Sequence, residues 1–472
     1  MFRHKRRRGL GAESGGRGAR SRMPSRAAWL VLIVLATLGP IPEPARGDAD
    51  RPARPARQPN LIVILADDLG WNDVGYHGSE IRTPHIDSLA ENGVRLDQFY
   101  VWPTCSPTRV AVLTGRNPAH WRVYGPLGAR TEVQPVDMRL TFALKELGYT
   151  THISGKWHIG ETPEHRPLRY GFDSSYGYLR GQIDPYTHRY KFGDHVTWHR
   201  NDEFVDERGH VTDLITEDVV RVIENAGEQP FFLYVNHHSP HFPLNEPPSW
   251  IEPYQDVFED HWRQHFAGAV THLDDGVGQI IAALERTGQR ENTLVVFLSD
   301  NGGQESWSAP VREYNGRYAP HTTLGDNRPL RGWKGQLYEG GIRVPALVNW
   351  PGMLEAGGVL RVSTGALDLA PTLIRLAGGD VDSQWNLEGE DLWPVLTDQA
   401  TDLGTRQFYW NHGNRLWAVR DGDWKLILHR DGRTELFHLA EDPYEQEDVA
   451  DQHPERVERL REEIARLQEE IG

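Results

Sequence analysis

A single cysteine, Cys105, stands in 472 residues, so no intrachain disulfide is available and the fold must rest on packing. An isolated thiol is either a reactive group or an inert filler. Positive charge is also scarce. Residues 1–47 hold ten Lys/Arg against two acids, a surplus of eight that leaves about −24 on the rest of a chain whose net charge is −16. Such an acidic body disfavours nucleic-acid binding, which depends on neutralising phosphates, and repels polyanions except at a locally basic pocket. Long apolar runs are missing as well. The longest, Ala27–Leu38 (AAWLVLIVLATL), follows basic residues, precedes a Pro-rich stretch and is too short to span a bilayer comfortably. It reads as the core of a signal peptide over residues 1–47, with Met23 as an alternative start. Export to a periplasm or the exterior is therefore expected, without a stable membrane span; a short anchor is the alternative.

What is present is the pattern of an α/β protein: after a linker at 48–58, short apolar runs alternate with longer amphipathic ones, which predicts a large, mostly parallel mixed sheet between helices over 59–400. Four runs matter. Leu61–Leu65 leads into Asp67 and Asp68; Thr150–Ile153 into Lys156 and His158; Phe231–Val235 into His237, His238 and His241; Thr293–Leu298 into Asp300 and Asn301. Ligands bind beyond the carboxyl ends of strands in such sheets, so four deliveries point to one shared site. Leu140–Leu147, Leu214–Asn225 and Phe266–Thr287 read as covering helices. Residues 401–472 change character: three short aromatic-rich strands and a charged helix, Pro454–Ile471, predict a small antiparallel sheet with a terminal helix.

Cys105-Ser-Pro-Thr-Arg109 predicts a helix start, with Ser106 as the cap, Pro107 at the first helical position and Arg109 in the first turn. That places a thiol beside a guanidinium and an anion-friendly helix end. Asp67, Asp68, Asp300 and Asn301 offer hard oxygen ligands, a set that suits Ca2+ or Mg2+ rather than zinc. Lys156, His158, His241 and Lys334 add cations and proton carriers. Taken singly, each has a bland explanation as cap, turn or filler, and His77, His85 and His152 keep it; His237 and His238 are candidates to line the same pocket. Trp121, Tyr186 and Trp198 are candidate platforms for a sugar ring, with core packing as the alternative. The loop Gln304–Leu330 is the candidate for setting specificity.

Pro103–Gly115 and Gly148–His158 resemble the two signatures of the type I sulfatases, within the alkaline phosphatase superfamily. Ala66–Gly75, Arg82–Asp87, Arg169–Asp173, Gly177–Leu179 and Ser299–Gly303 are similar to the arylsulfatase B (N-acetylgalactosamine-4-sulfatase) branch, and the likeness runs from about Pro59 to the C-terminus. The resemblance implies an alkaline phosphatase-like fold. It also implies that a formylglycine-generating enzyme oxidises Cys105 to formylglycine, whose hydrate attacks a sulfate ester and passes through a covalent sulfo-enzyme. Asp67, Asp68, Cys105, Asp300 and Asn301 would hold Ca2+ (or Mg2+); Arg109 and Lys156 would hold the formylglycine oxygen; His158 would assist release of sulfate; His241 and Lys334 would grip the sulfate and protonate the leaving oxygen. The substrate it implies is a sulfated sugar, such as a galactosamine or galactose sulfate, or an aryl sulfate surrogate. A phosphonate monoester or phosphodiester hydrolase is the alternative enzyme, and a non-catalytic binder of sulfated glycans the alternative of another class. The further cysteines of animal arylsulfatase B are absent, so its disulfides do not carry over.

Overall fold

In the computed structural model, residues 57–192, 195–307, 312–321, 324–381 and 385–471 are described; the expected signal peptide and almost all of the 48–58 linker lie outside them. The strands are β1 (Asn60–Ala66), β2 (Val94–Leu96), β3 (Phe99–Tyr100), β4 (Thr150–Lys156), β5 (Ser174–Tyr178), β6 (Trp198–Arg200), β7 (Glu203–Phe204), β8 (Phe231–Asn236), β9 (Thr293–Ser299), β10 (Ala346–Asn349), β11 (Gly358–Leu360), β12 (Thr364–Gly365), β13 (Gln407–His412), β14 (Leu416–Asp421), β15 (Trp424–Leu428) and β16 (Thr434–His438). The helices are α1 (Pro84–Glu91), α2 (Cys105–Thr114), α3 (Arg139–Glu146), α4 (Val211–Asn225), α5 (Pro248–Ile251), α6 (His261–Arg286), α7 (Glu339–Ile342), α8 (Leu369–Leu376), α9 (Trp393–Leu396) and α10 (Pro454–Ile471).

β1 reads NLIVILA and is buried along its whole length. A strand apolar on both faces is stable only in a sheet covered twice, and it sits in the middle of a ten-stranded sheet ordered β11-β2-β10-β9-β1-β8-β4-β5-β6-β7. The central block β9-β1-β8-β4-β5 is parallel, while β10, β6 and β7 join antiparallel at its flanks. Alternation sorts the side chains: Leu61, Val63 and Leu65 pack into one core with α2, α3 and α8, and Ile62, Ile64 and Ala66 into the opposite core with α1, α4 and α6. At about 25 cal/mol per Å2 of apolar surface, these two layers hold the sheet without a disulfide.

The four strand ends singled out from sequence are therefore adjacent, in the order β9-β1-β8-β4, and in register: Ala66 pairs with Ser299, Leu65 with Asn236, and Gly155 with Asn236. Gly155 is required there. Its φ is +107° and a Cβ would lie 1.8 Å from the Asn236 carbonyl oxygen, so only glycine lets β4 close on β8 one residue before Lys156. The short flanking strands β2, β5, β6, β7, β10 and β11 were not anticipated, because two to five residues hold too little periodicity to stand out.

The C-terminal sheet is antiparallel, β13-β14-β15-β16, with α10 packed on it through Leu460 and Ile464. Its fourth strand is an addition to the three expected. Trp198 is 1% exposed and meets Tyr176 edge-on at 5.0 Å, so it is core and not a sugar platform; Tyr186 is exposed.

Candidate active site

Asp67 and Asp300 leave β1 and β9 side by side, tied by the Asp300 amide donating to the Ala66 carbonyl at 3.0 Å. The His237 amide donates to Leu65 at 3.0 Å and the Asp67 amide to Ser239 at 3.2 Å, which draws the segment after β8 over the same edge. Asp68 has φ +68° and His158 φ +57°; backbone held in this region by side chains other than glycine stores strain of the kind found at functional sites.

Cys105 is buried and its Sγ lies 3.6 Å from Asp67 Oδ1. The other Asp67 oxygen accepts from Lys156 Nζ at 2.6 Å. Lys334 Nζ lies 2.6 Å from Asp68 Oδ1, and His241 Nε2 is 3.6 Å from Asp68 Oδ2. Arg109 donates to Asp300 Oδ2 from Nη2 at 2.7 Å and to the Lys156 carbonyl from Nη1 at 2.9 Å. Three carboxylates and three cations thus alternate around one thiol. The loop of Lys334 is fixed by the Gly335 amide donating to Pro103 at 2.7 Å and the Lys334 amide to Gly303 at 3.1 Å.

Burial pushes the Cys105 thiol up to about 12, outweighing the Lys156 and Lys334 charges, so the unmodified residue is a poor nucleophile at neutral pH. Burial opposes charge on Asp68 too, yet the Lys334 ammonium holds it below the usual carboxylate range. Asp300 is shifted up by burial and by the Asp67 charge, against Arg109. Burial and the Lys334 charge lower His241 to about 3, so it is neutral; its Nδ1 faces the Phe242 carbonyl and carries the proton, which leaves the Nε2 lone pair aimed at Asp68. His158 is likewise neutral, lowered by burial and by Lys156 and Arg109.

The donor set suits a hard cation. Atoms of Asp67, Asp68, Cys105 and His241 lie within 4.8 Å of one another, and Asp300 Oδ1 and Asn301 Oδ1 are buried with no hydrogen-bond partner. Orphaned buried oxygens are rare because each costs about 1–3 kcal/mol. Asn301 keeps its oxygen free by spending its amide on Asp68 Oδ1 at 2.7 Å.

The structure brings Asp67, Asp68, Cys105, Arg109, Lys156, His158, His241, Asp300, Asn301 and Lys334 together at one edge of the sheet. One local detail differs: α2 begins at Cys105 with Thr104 before it, so Ser106 is not the cap. Its hydroxyl instead donates to the His158 carbonyl at 2.8 Å and accepts from the Leu127 amide at 2.9 Å, joining the two signature segments. Asn236 and Asn327 were not singled out. Asn236 Nδ2 supports the Lys156 carbonyl at 3.0 Å, and Asn327 Oδ1 accepts from the Gly303 amide at 2.8 Å. A lone asparagine carries no sequence signal for such a role. His238 lies beside His241, with ring centres 5.9 Å apart, and both His237 and His238 are buried.

Comparison with known proteins agrees with this geometry. A sulfatase family profile matches residues 59–379, and one for the C-terminal part of N-sulphoglucosamine sulphohydrolase matches 332–470. The chain is 32% identical to mouse arylsulfatase J, over 85% of this chain and 74% of that protein, and 34% identical to mouse N-acetylgalactosamine-6-sulfatase, over 85% and 76%. Among solved structures, Ps i-CgsB in complex with k-i-k-neocarrahexaose superposes with a TM-score of 0.78 at 32% identity, covering 87% of this chain and 93% of that one. The phosphonate monoester hydrolase of Agrobacterium radiobacter, at 19% identity and a TM-score of 0.59, shares the fold. The chain belongs to the sulfatase family and is a sulfuric ester hydrolase.

Proposed function

We propose that the enzyme hydrolyses sulfate esters on a sugar, a galactosamine or galactose sulfate, after Cys105 is oxidised to formylglycine by a formylglycine-generating enzyme, and that it acts in the periplasm or outside the cell. The observation that carries the reading is the placement of Cys105: a poor nucleophile as a thiol, it is walled in by Asp67, Lys156 and Lys334, which leaves its modification as the natural source of reactivity. The relatives named for N-acetylgalactosamine-6-sulfate and the structure holding neocarrahexaose support a sugar substrate.

Asp67, Asp68, Asp300, Asn301 and the modified residue 105 would hold Ca2+, with Mg2+ as the alternative, which would supply Lewis-acid stabilisation of charge on a sulfate oxygen. The hydrated aldehyde of formylglycine would supply the nucleophile. The chain's own groups do the rest. Arg109 and Lys156 fix Asp300 and Asp67 and give the pocket the positive charge that an otherwise acidic surface lacks. Lys334 and His241 flank Asp68 and grip the ester; His241 gains a second proton beside the bound anion and donates it to the leaving oxygen from Nε2. His158, under the Gly181 backbone, takes the proton whose removal releases sulfate.

The test is the mass of the Cys105 peptide after expression with a formylglycine-generating enzyme, together with turnover of a sulfate and a phosphodiester carrying the same aryl leaving group. Formylglycine and preference for the sulfate are expected. Full activity with an unmodified thiol, or preference for the phosphodiester, would sink the assignment.

A further inference from the structure

A second cluster of metal-binding residue types lies apart from the cysteine, between α4, α6 and the segment that follows β8. His210 precedes α4, Asp213 lies in its first turn, His272 sits in the middle of α6 and Glu246 follows β8. The sulfatase chemistry uses none of them.

The arrangement is layered. Ligand atoms of His210, Asp213 and His272 lie within 4.8 Å of one another. His272 Nε2 faces Asp213 Oδ1 at 2.9 Å, and its Nδ1 donates to Glu246 Oε2 at 2.6 Å. His210 is 2% exposed; its Nε2 has no hydrogen-bond partner, with Glu246 Oε1 3.4 Å away. The rings of His210 and Trp250 sandwich His272, each with its centre 4.8 Å away, and so fix its plane. The Asp213 side chain is 47% exposed and gives the cluster a solvent path. A carboxylate behind one imidazole nitrogen, with the other turned to a cluster of donors, is how proteins orient a metal-binding histidine.

We propose that His210, Asp213 and His272 form a second metal site, for a divalent transition ion of the zinc class, with Glu246 orienting His272 from behind. Two imidazoles and one carboxylate suit zinc, with solvent as a fourth ligand. The set differs in kind from the oxygen-rich site at Asp67 and Asp300, so a hard ion such as Ca2+ does not compete for it. The ion fastens the start of α4 to α6, while Glu246 holds the segment after β8 against His272.

The experiment uses the full enzyme, treated with chelator and then held in saturating Ca2+, titrated with Zn2+ by calorimetry and with Co2+ by visible absorption. Expected are one Zn2+ per chain in the second site and intense tetrahedral Co2+ bands, both lost in His210→Gln and Asp213→Asn. Glu246→Gln should weaken binding roughly 10- to 100-fold. His272→Gln strips the buried Glu246 of its counter-charge and risks misfolding, so the half-exposed Asp213 position keeps the test decisive. No Zn2+ uptake by the wild type in saturating Ca2+, or uptake unchanged in both His210→Gln and Asp213→Asn, overturns the proposal.

Discussion

At the scale of single residues the site is a balance of buried charges, and each charge has a separate consequence when removed. Arg109 and Asp300 are fully buried partners. Replacing Arg109 with Leu leaves Asp300 facing Asp67 without a counter-ion, so unfolding in urea should show a loss of about 3–5 kcal/mol; a loss under 1 kcal/mol would mean that a bound cation, and not Arg109, neutralises the pair. Lys334 differs because it is 15% exposed at the pocket mouth and bonded to Asp68. Lys334→Ala strips the buried Asp68 of its ammonium partner and should cost about 1–3 kcal/mol of stability, and on the order of 100- to 1,000-fold in kcat/KM for an aryl sulfate. Steady-state kinetics beside thermal melts separates the two effects. The types of these residues were legible in the sequence, since Asp, Lys and His clustered after strand-like runs. Which cation pairs with which carboxylate was not, because Lys156 to Asp67 and Lys334 to Asp68 are contacts across long sequence separations, set by where the loops close.

At the scale of elements the central strands announce themselves and the connections do not. LIVIL and LVVFL can be buried only in a doubly covered sheet, so β1 and β9 were readable. The register that puts Gly155 against Asn236 was not. It yields a sharp contrast between two glycines of left-handed φ. Gly148→Ala has nothing within 4 Å of the new Cβ and should cost about 1–2 kcal/mol from backbone strain alone. Gly155→Ala puts a Cβ 1.8 Å from a backbone oxygen and should cost upwards of about 4 kcal/mol or yield no folded protein. Equal melting temperatures for the two variants would show that β4 does not close on β8 in this way. The start of α2 is a smaller instance of the same limit: Ser and Pro predicted a cap at Ser106, but its hydroxyl bonds the His158 carbonyl and the helix begins at Cys105. A tertiary partner outbid the local preference.

At the scale of the whole molecule, the C-terminal sheet is tied to α7 and β3 through a buried ionic knot. Lys425 on β15 lies 2.9 Å from Glu339 and 2.8 Å from Glu445, while Arg420 on β14 reaches the Tyr100 hydroxyl. Two carboxylates share one ammonium, so burial and the Glu339 charge, opposed by Lys425, push Glu445 up to about 7, while Lys425 and neighbouring arginines hold Glu339 below its usual value. The sign follows. Between pH 4.5 and 7 the folded chain keeps a proton on Glu445 that the unfolded chain has lost, so this group's contribution is present below 4.5 and is lost as pH rises through 7. Glu445→Gln should flatten that slope in melting temperature measured from pH 4.5 to 8, with Ca2+ held constant; an unchanged slope would place the titration elsewhere. The sequence by itself determined the reaction class, because the motifs that mark a sulfatase are contiguous, and it pointed to the candidate site residues because they follow strand-like runs or lie in those motifs. It also determined the alternation of strands and helices, because burial on two faces imposes its own composition. Only the tertiary structure decided the ion pairs, the glycine on which the strands close, the knot that ties on the C-terminal sheet and the second histidine cluster, because each depends on which distant segments meet when the chain packs.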